Sequence, residues 1–420
     1  MRLQFIFIFC LALSLVGCHT DERNPGTLNL PSGSIYNFDS EAHVLKVPVE
    51  SNMEWEVTGA VNWCQPDKLT GNGNDTLRLA IEANISSQER MATLVLKNPD
   101  VRKAIRVNQK GSETEYHYKL PVIFHILYND ANSAEQNISA ERIYRIVGEC
   151  NAMYADANNS IDMNLEFTLA THDPEGNELA EPGIERIQWP SSTTISCDVF
   201  MKDKNVIPYV WDLNNYINIF VYTFSEQNTL GISYLPYTLS SNSLAGLQYG
   251  DRYVTDPTLQ PSYPHCVSVN NKFALTEHSS LKVPDLTLTL THELGHYLGL
   301  FHVFIEDKNP TDYCDDTETY DRAAYEAWLG SLTHALPFNQ LALRTSPEGV
   351  EFTSYNIMDY DFSYLNRFTS DQRVRVRHVL ENSPLTPGPK ADVSRTRSNP
   401  NLDIPEGRTI KWTRKNWEMR

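Results

Sequence analysis

The stretch His292-Glu293-Leu294-Gly295-His296-Tyr297-Leu298-Gly299-Leu300-Phe301-His302 has the pattern H-E-x-x-H-x-x-G-x-x-H, and each fixed letter has a physical reason. Residues four apart on a helix lie one above the other, so His292 and His296 share a face. Two neutral imidazoles so placed reach one Zn²⁺ at about 2.0–2.1 Å each. Glu293 is turned aside from that face, next to the metal but not on it, where a carboxylate takes a proton from water. Gly299 is suited to leave the helix with φ > 0, and the turn brings His302 round as third ligand. Three protein ligands leave a fourth position for water, the mark of a catalytic rather than a structural zinc site.

Downstream lies Asn356-Ile357-Met358-Asp359-Tyr360. The long histidine motif followed by such a Met-turn resembles the metzincin signature. The resemblance makes Met358 a soft apolar floor beneath the histidines. It also places Tyr360 where several metzincins carry a tyrosine that meets the metal or the oxyanion. Asp312-Tyr313-Cys314-Asp315-Asp316-Thr317, with "LPVIFHILYND" from Leu120, "YINIFVY" from Tyr216 and "NIMDY" from Asn356, narrows the likeness to the pappalysin (cytophagalysin) family. The resemblance covers roughly residues 116–385. It implies peptide-bond hydrolysis, with Glu293 as base and then acid, and an extended peptide substrate added to an edge strand near 230–236 or 266–270. It further implies calcium near the acidic loop, with Asp312, Asp316 and Thr317 as oxygen ligands. One departure stands out: no cysteine follows near the Met-turn to pair with Cys314.

With 420 residues, two domains are the natural division. Hydrophobic residues at 41% and aromatics at 10% describe globular material. A formal charge of −18 argues against nucleic acid as partner and against a polybasic membrane contact. Residues 1–17 read as a secretion signal, Arg2 supplying the positive start and 5–16 an apolar run too short to span a bilayer. The run ends in Leu15-Val16-Gly17-Cys18, which resembles a bacterial lipobox and implies a lipid on Cys18, with residues 18–27 as tether. The implied location is the outer membrane or cell surface, with the membrane touched only through that lipid.

Of the seven cysteines, Cys10 leaves with the signal, and Cys64, Cys150, Cys197, Cys266 and Cys314 remain beside Cys18. That is an odd number in an oxidising compartment. Cys266 and Cys314 flank the histidine motif and are candidates for a bridge. Cys64 is a candidate to block the metal of a latent form.

From about 28 to 112, short stretches alternate apolar and polar residues with period two, as at 43–49, 77–83, 91–97 and 104–109, separated by turn formers. This spacing predicts a β-sandwich. Ser51-Asn52, Trp55, Trp63, Asn84, Arg90 and Gln109-Lys110-Gly111 resemble a BACON module, a family proposed to bind carbohydrate or mucin. Trp55 and Trp63 either stack on sugar or fill the core. The second domain, 116–385, opens on the apolar run 118–128, fit for a central strand, with His125 read as a core histidine. A helix over 139–158 capped by Ser139, strands at 163–170 and 216–222, and a helix starting at Asp285 follow. Residues 320–343 read as an inserted helical segment, 373–380 as a helix and 386–420 as a basic, Pro- and Ser-containing tail. The expected fold is therefore α+β: an all-β sandwich, then a metzincin-like domain with a mixed sheet and a central zinc-binding helix. The function it implies is zinc-dependent endopeptidase. The alternative is a surface glycan- or mucin-binding adhesin with a vestigial zinc domain.

Overall fold

A computed structural model describes residues 24–31, 34–189, 194–250, 261–276, 285–306, 310–360, 362–391 and 406–413. The lipobox, Cys18 and most of the tether lie outside the described residues. The chain divides into two compact units, one from stretches up to 38, 43–81 and 91–108, the other from 39–42, 82–90 and 109 onward.

The first unit is a β-sandwich. One sheet orders Leu28–Asn29, His43–Ser51, Asp75–Ile81 and Cys64–Pro66; the other orders Ile35–Phe38, Arg102–Gln109, Arg90–Lys97, Glu54–Thr58 and Thr70–Asn72. Period-two alternation sends Val47, Leu77 and Leu79 from one sheet and Leu94, Leu96 and Val107 from the other into a shared core. Trp55 and Trp63 belong to that core, 2% and 5% exposed, and the Trp55 indole N–H donates to the Gly73 carbonyl. Neither is available to stack on sugar.

The second unit is built on a mixed sheet. Its order is Leu165–Leu169, Tyr118–Tyr128, Ile217–Tyr222, Val267–Asn270, Thr229–Leu235 and Arg408–Thr413, with Ile184–Gln188 pairing beside Leu165–Leu169 on Tyr118–Tyr128. The strands pair in parallel as far as Val267–Asn270. Thr229–Leu235 and Arg408–Thr413 each add antiparallel. A strand buried on both faces is mostly apolar, and Ile217–Tyr222 is wholly buried, its one amide, Asn218, being hydrogen-bonded to the Trp211 backbone. His125 sits in the core with its ring nitrogens on Glu185 and Asn218, at 2.6 and 2.9 Å.

Helix Ala140–Tyr154 is capped by Ser139, whose hydroxyl accepts from the Arg142 N–H, and ends short of the expected Asn158. It packs on helix Leu286–Tyr297, the Tyr154 hydroxyl donating to the Thr291 carbonyl at 3.1 Å. The inserted segment forms helices Arg322–Ser331 and Phe338–Leu341, and the last helix runs Ser370–Asn382. The tail expectation fails at Arg408–Thr413, which is a strand of the main sheet.

Candidate active site

The histidine helix, Leu286–Tyr297, buries all twelve of its residues. Its threonines are poor helix formers, but each finds an acceptor. Thr287 donates to Glu149, Thr289 to the Asp285 carbonyl and Thr291 to the Thr287 carbonyl, so the hydroxyls are buried without loss. Asp285 caps the start through the Leu288 N–H at 2.8 Å. At the other end Gly299 turns with φ +91°, and the N–H groups of Gly299 and Leu300 return to the carbonyls of His296 and Gly295.

That turn gathers the three imidazoles. Ring nitrogens of His292, His296 and His302 all lie within 4.8 Å of one another, and all three side chains are buried. His292 Nδ1 meets the Ile357 carbonyl at 2.7 Å and His296 Nδ1 the Leu300 carbonyl at 2.8 Å. A carbonyl only accepts, so each Nδ1 carries the proton and each Nε2 keeps its lone pair. His292 Nε2 has no hydrogen-bond partner among the described residues, and His296 Nε2 faces His302 Nε2 at 3.0 Å. Two ligands at about 2.0–2.1 Å and a tetrahedral angle would sit roughly 3.3 Å apart, so the donor set fits zinc. Burial and mutual repulsion hold His292 and His296 well below the usual imidazole range, keeping them neutral as ligands must be. Burial lowers His302 as well, partly offset by Glu306.

Glu293 lies beside this trio, fully buried, with neither carboxylate oxygen hydrogen-bonded among the described residues. Burial pushes its pKa well above the carboxylate range, opposed by the Trp412 backbone N–H, which faces it without closing a hydrogen bond. Gly231 passes directly over Glu293. A Cβ there would lie 2.5 Å from Glu293 Cγ and 2.6 Å from Oε1. The Tyr360 ring stands 4.5 Å from that of His302 and 5.8 Å from that of His292. Its hydroxyl donates to the Lys411 carbonyl. The Arg322 guanidinium lies 4.1 Å over the Tyr360 ring.

Met358 is wholly buried beneath the histidine helix, its sulfur against Gly295. The network that fixes this loop was missed by sequence reasoning. Asp359, fully buried, accepts from the Tyr320 hydroxyl at 2.6 Å, from the Tyr360 N–H at 2.7 Å and from the Ser354 hydroxyl. It pairs with the equally buried Arg344 at 3.5 Å.

The acidic loop is tied together by its own hydrogen bonds. Asp312 accepts from the Thr317 hydroxyl at 2.7 Å and the Cys314 N–H. Asp316 is turned to the Asp371 N–H in the first turn of the last helix. The five described cysteines are buried and none is joined in a disulfide, so no bridge joins Cys266 to Cys314. Cys266 Sγ instead lies 3.6 Å from Met201 Sδ. Cys64 is part of the sandwich core, which corrects its reading as a metal blocker.

Residues 265–381 match the Peptidase_M43 family, described as pregnancy-associated plasma protein-A. Residues 53–110 match the BACON family, described as "Putative binding domain, N-terminal". Extracellular metalloproteases of Arthroderma otae and Arthroderma benhamiae are 33% identical over 94 residues and 35% over 89. These matches cover 22% and 21% of this chain and 31% and 29% of the relatives. A xyloglucan-specific endo-beta-1,4-glucanase of Bacteroides ovatus is 23% identical over 96 residues, which is 23% of this chain and 19% of that one. The chain thus spans under a third of each relative's length. Among solved structures, mature mirolysin of Tannerella forsythia in complex with a cleaved peptide aligns over 63% of this chain and 92% of that one. The identity there is 25% and the TM-score 0.44. The chain carries a pappalysin-like Peptidase_M43 domain, a metallopeptidase domain, together with a BACON domain.

Proposed function

We propose that this chain, carrying that metallopeptidase domain, is a zinc-dependent endopeptidase whose metal ligands are His292, His296 and His302. The observation that carries the reading is three buried imidazoles with nitrogens inside 4.8 Å, two of them tied through Nδ1 to backbone carbonyls. Zinc held there would lower the pKa of a coordinated water toward ~7 and polarise the scissile carbonyl. Glu293, close by and otherwise unpaired, takes the proton from the attacking water and hands it to the leaving amine. The Tyr360 O–H, already donating to a peptide carbonyl at Lys411, supplies a hydrogen bond to the oxygen that gains charge. Thr229–Leu235 supports the extended peptide by strand addition.

The same proposal places the protein on the cell surface through a lipid on Cys18, on the strength of the Leu15-Val16-Gly17-Cys18 pattern. Metal analysis of purified protein and cleavage of a random peptide library test the enzymatic reading. One zinc per chain, and loss of cleavage but not of zinc in Glu293→Ala, are expected. Metal-free wild-type protein after growth with zinc, or a tenth of the rate surviving in Glu293→Ala, would overturn it. Mass spectrometry of the mature amino terminus tests the lipid, and an unmodified Cys18 thiol sinks that part.

A further inference from the structure

The strand Arg408–Thr413 lies where that reading places a substrate. It pairs antiparallel with Thr229–Leu235, Leu235 opposite Arg408 through to Gly231 opposite Trp412. Its Lys411 carbonyl receives the Tyr360 hydroxyl, and its Trp412 N–H faces Glu293. The Trp412 indole lies against the His292 ring, centroids 4.5 Å apart and planes tilted by 31°, and is 3% exposed. We infer that this strand is an intramolecular occupant of the peptide cleft that holds the enzyme latent, an inference that rests on the hydrolase reading of the same site.

The side chains are fitted to the place. Ile410 packs into a cluster with Leu235, Leu247, Phe301 and Val379. Lys411 Nζ pairs with Asp198 at 2.6 Å. Gly407 passes so close to the rings of Tyr234 and Tyr263 that a Cβ would collide with both. A sheet edge accepts one strand at a time, so this occupant and a substrate exclude each other. Trp412 lies on a metal-binding imidazole and its N–H faces the base, which makes the strand a block and not a peptide in turnover. Covalent attachment presents it at an effective concentration on the order of a millimolar. If it binds in trans at roughly 100 µM, that gives about ten-fold latency.

The test uses the full chain, wild type and Ile410→Asp/Trp412→Gly, with a fluorescein-labelled peptide of residues 406–414. In metal-free protein, anisotropy should report binding to the double variant and not to wild type. In zinc-loaded protein the variant should cleave a quenched peptide substrate about ten-fold faster. Should that variant not fold, Lys411→Glu should activate through loss of the Asp198 pair, and Asp198→Lys added to it should restore latency. Peptide binding without any cleavage would support the strand assignment while removing the hydrolase reading. Equal peptide binding by wild type and variant, equal cleavage rates, or wild type clipping itself after Lys411 would overturn the inference.

Discussion

Replacing Asp359 by alanine is the sharpest test of how the site is held. Asp359 and Arg344 are both fully buried and pair at 3.5 Å. The carboxylate also receives Tyr320, Ser354 and the Tyr360 N–H. Removing one partner of a buried pair leaves an uncompensated charge, costing about 3–5 kcal/mol. At 2–4 °C per kcal/mol for a domain of this size, that predicts a Tm roughly 6–20 °C lower. The sign of the coupling is more telling than the size. Adding Arg344→Met removes the stranded cation, so the double variant should melt above Asp359→Ala alone, although carbonyls of Leu341 and Leu343 lose their Arg344 donor. Because Tyr360 hangs from Asp359 through its N–H, peptide cleavage should fall as well. Calorimetry of zinc-loaded protein reads the first two quantities and a fluorogenic peptide the third. An Asp359→Ala protein melting within about 2 °C of wild type, or a double variant no more stable than the single, would refute the reasoning.

Gly231→Ala puts a Cβ 2.5 Å from Glu293 Cγ. Displacing the base by this much should cut kcat on the order of 100-fold with zinc content unchanged, and near-normal kcat would show that Glu293 has room to move. Chelation should lower Tm, since zinc at a hundred times its Kd adds ~2.7 kcal/mol, or roughly 5–11 °C; a Tm indifferent to chelator contradicts a resident metal. Gly295→Ala drives a Cβ to 2.5 Å from Met358 Sδ and should cost about 1–3 kcal/mol by overpacking, relieved when Met358→Ala is added. Burial raises the Cys150 and Cys197 thiols to about 12 and Cys266 and Cys314 higher still. Iodoacetamide should therefore spare the native cysteines and, without reductant, label Cys64, Cys150, Cys197, Cys266 and Cys314 after unfolding. Failure to label any pair of them would reveal a bridge.

What was legible in the chain is what short-range geometry dictates. The i, i+4 histidines, the Asp285 cap and the positive-φ turn at Gly299 depend on neighbours within one helical turn. The sandwich strands announce themselves by period-two alternation, and the main sheet by an unbroken apolar run at 118–128. Arg344 and Asp359 were not legible, because their charges lie fifteen positions apart and only tertiary folding sets them face to face. Thr409-Ile410-Lys411-Trp412-Thr413 did carry a strand signal, four of its five residues being β-branched or aromatic. The basic and Pro-containing surroundings masked it, since composition averaged over 386–420 says nothing of six residues that find a sheet edge. The hydrogen bonds of the acidic loop were not legible either. Its spacing suits a cation, and nothing in it announces that the Thr317 hydroxyl, the Cys314 N–H and one helix N–H, that of Asp371, donate to the same carboxylates.

The arrangement of the site follows from a conflict between folding and chemistry. A carboxylate without hydrogen-bond partners and a set of facing imidazole lone pairs are unfavourable in a desolvated interior. The surrounding structure holds them there by over-determining each one. Thr291, Ile357 and Leu300 fix the helix and the two imidazoles. Met358 fills the space beside Gly295, and the Val303 N–H returns to the Met358 carbonyl, binding the third histidine's turn to the floor. At the site itself, His292 Nε2 and both Glu293 oxygens are left without a hydrogen-bond partner among the described residues. Braced by the helix, the turn and the Met358 loop, these groups are preorganised, with little reorganisation left for the reaction itself.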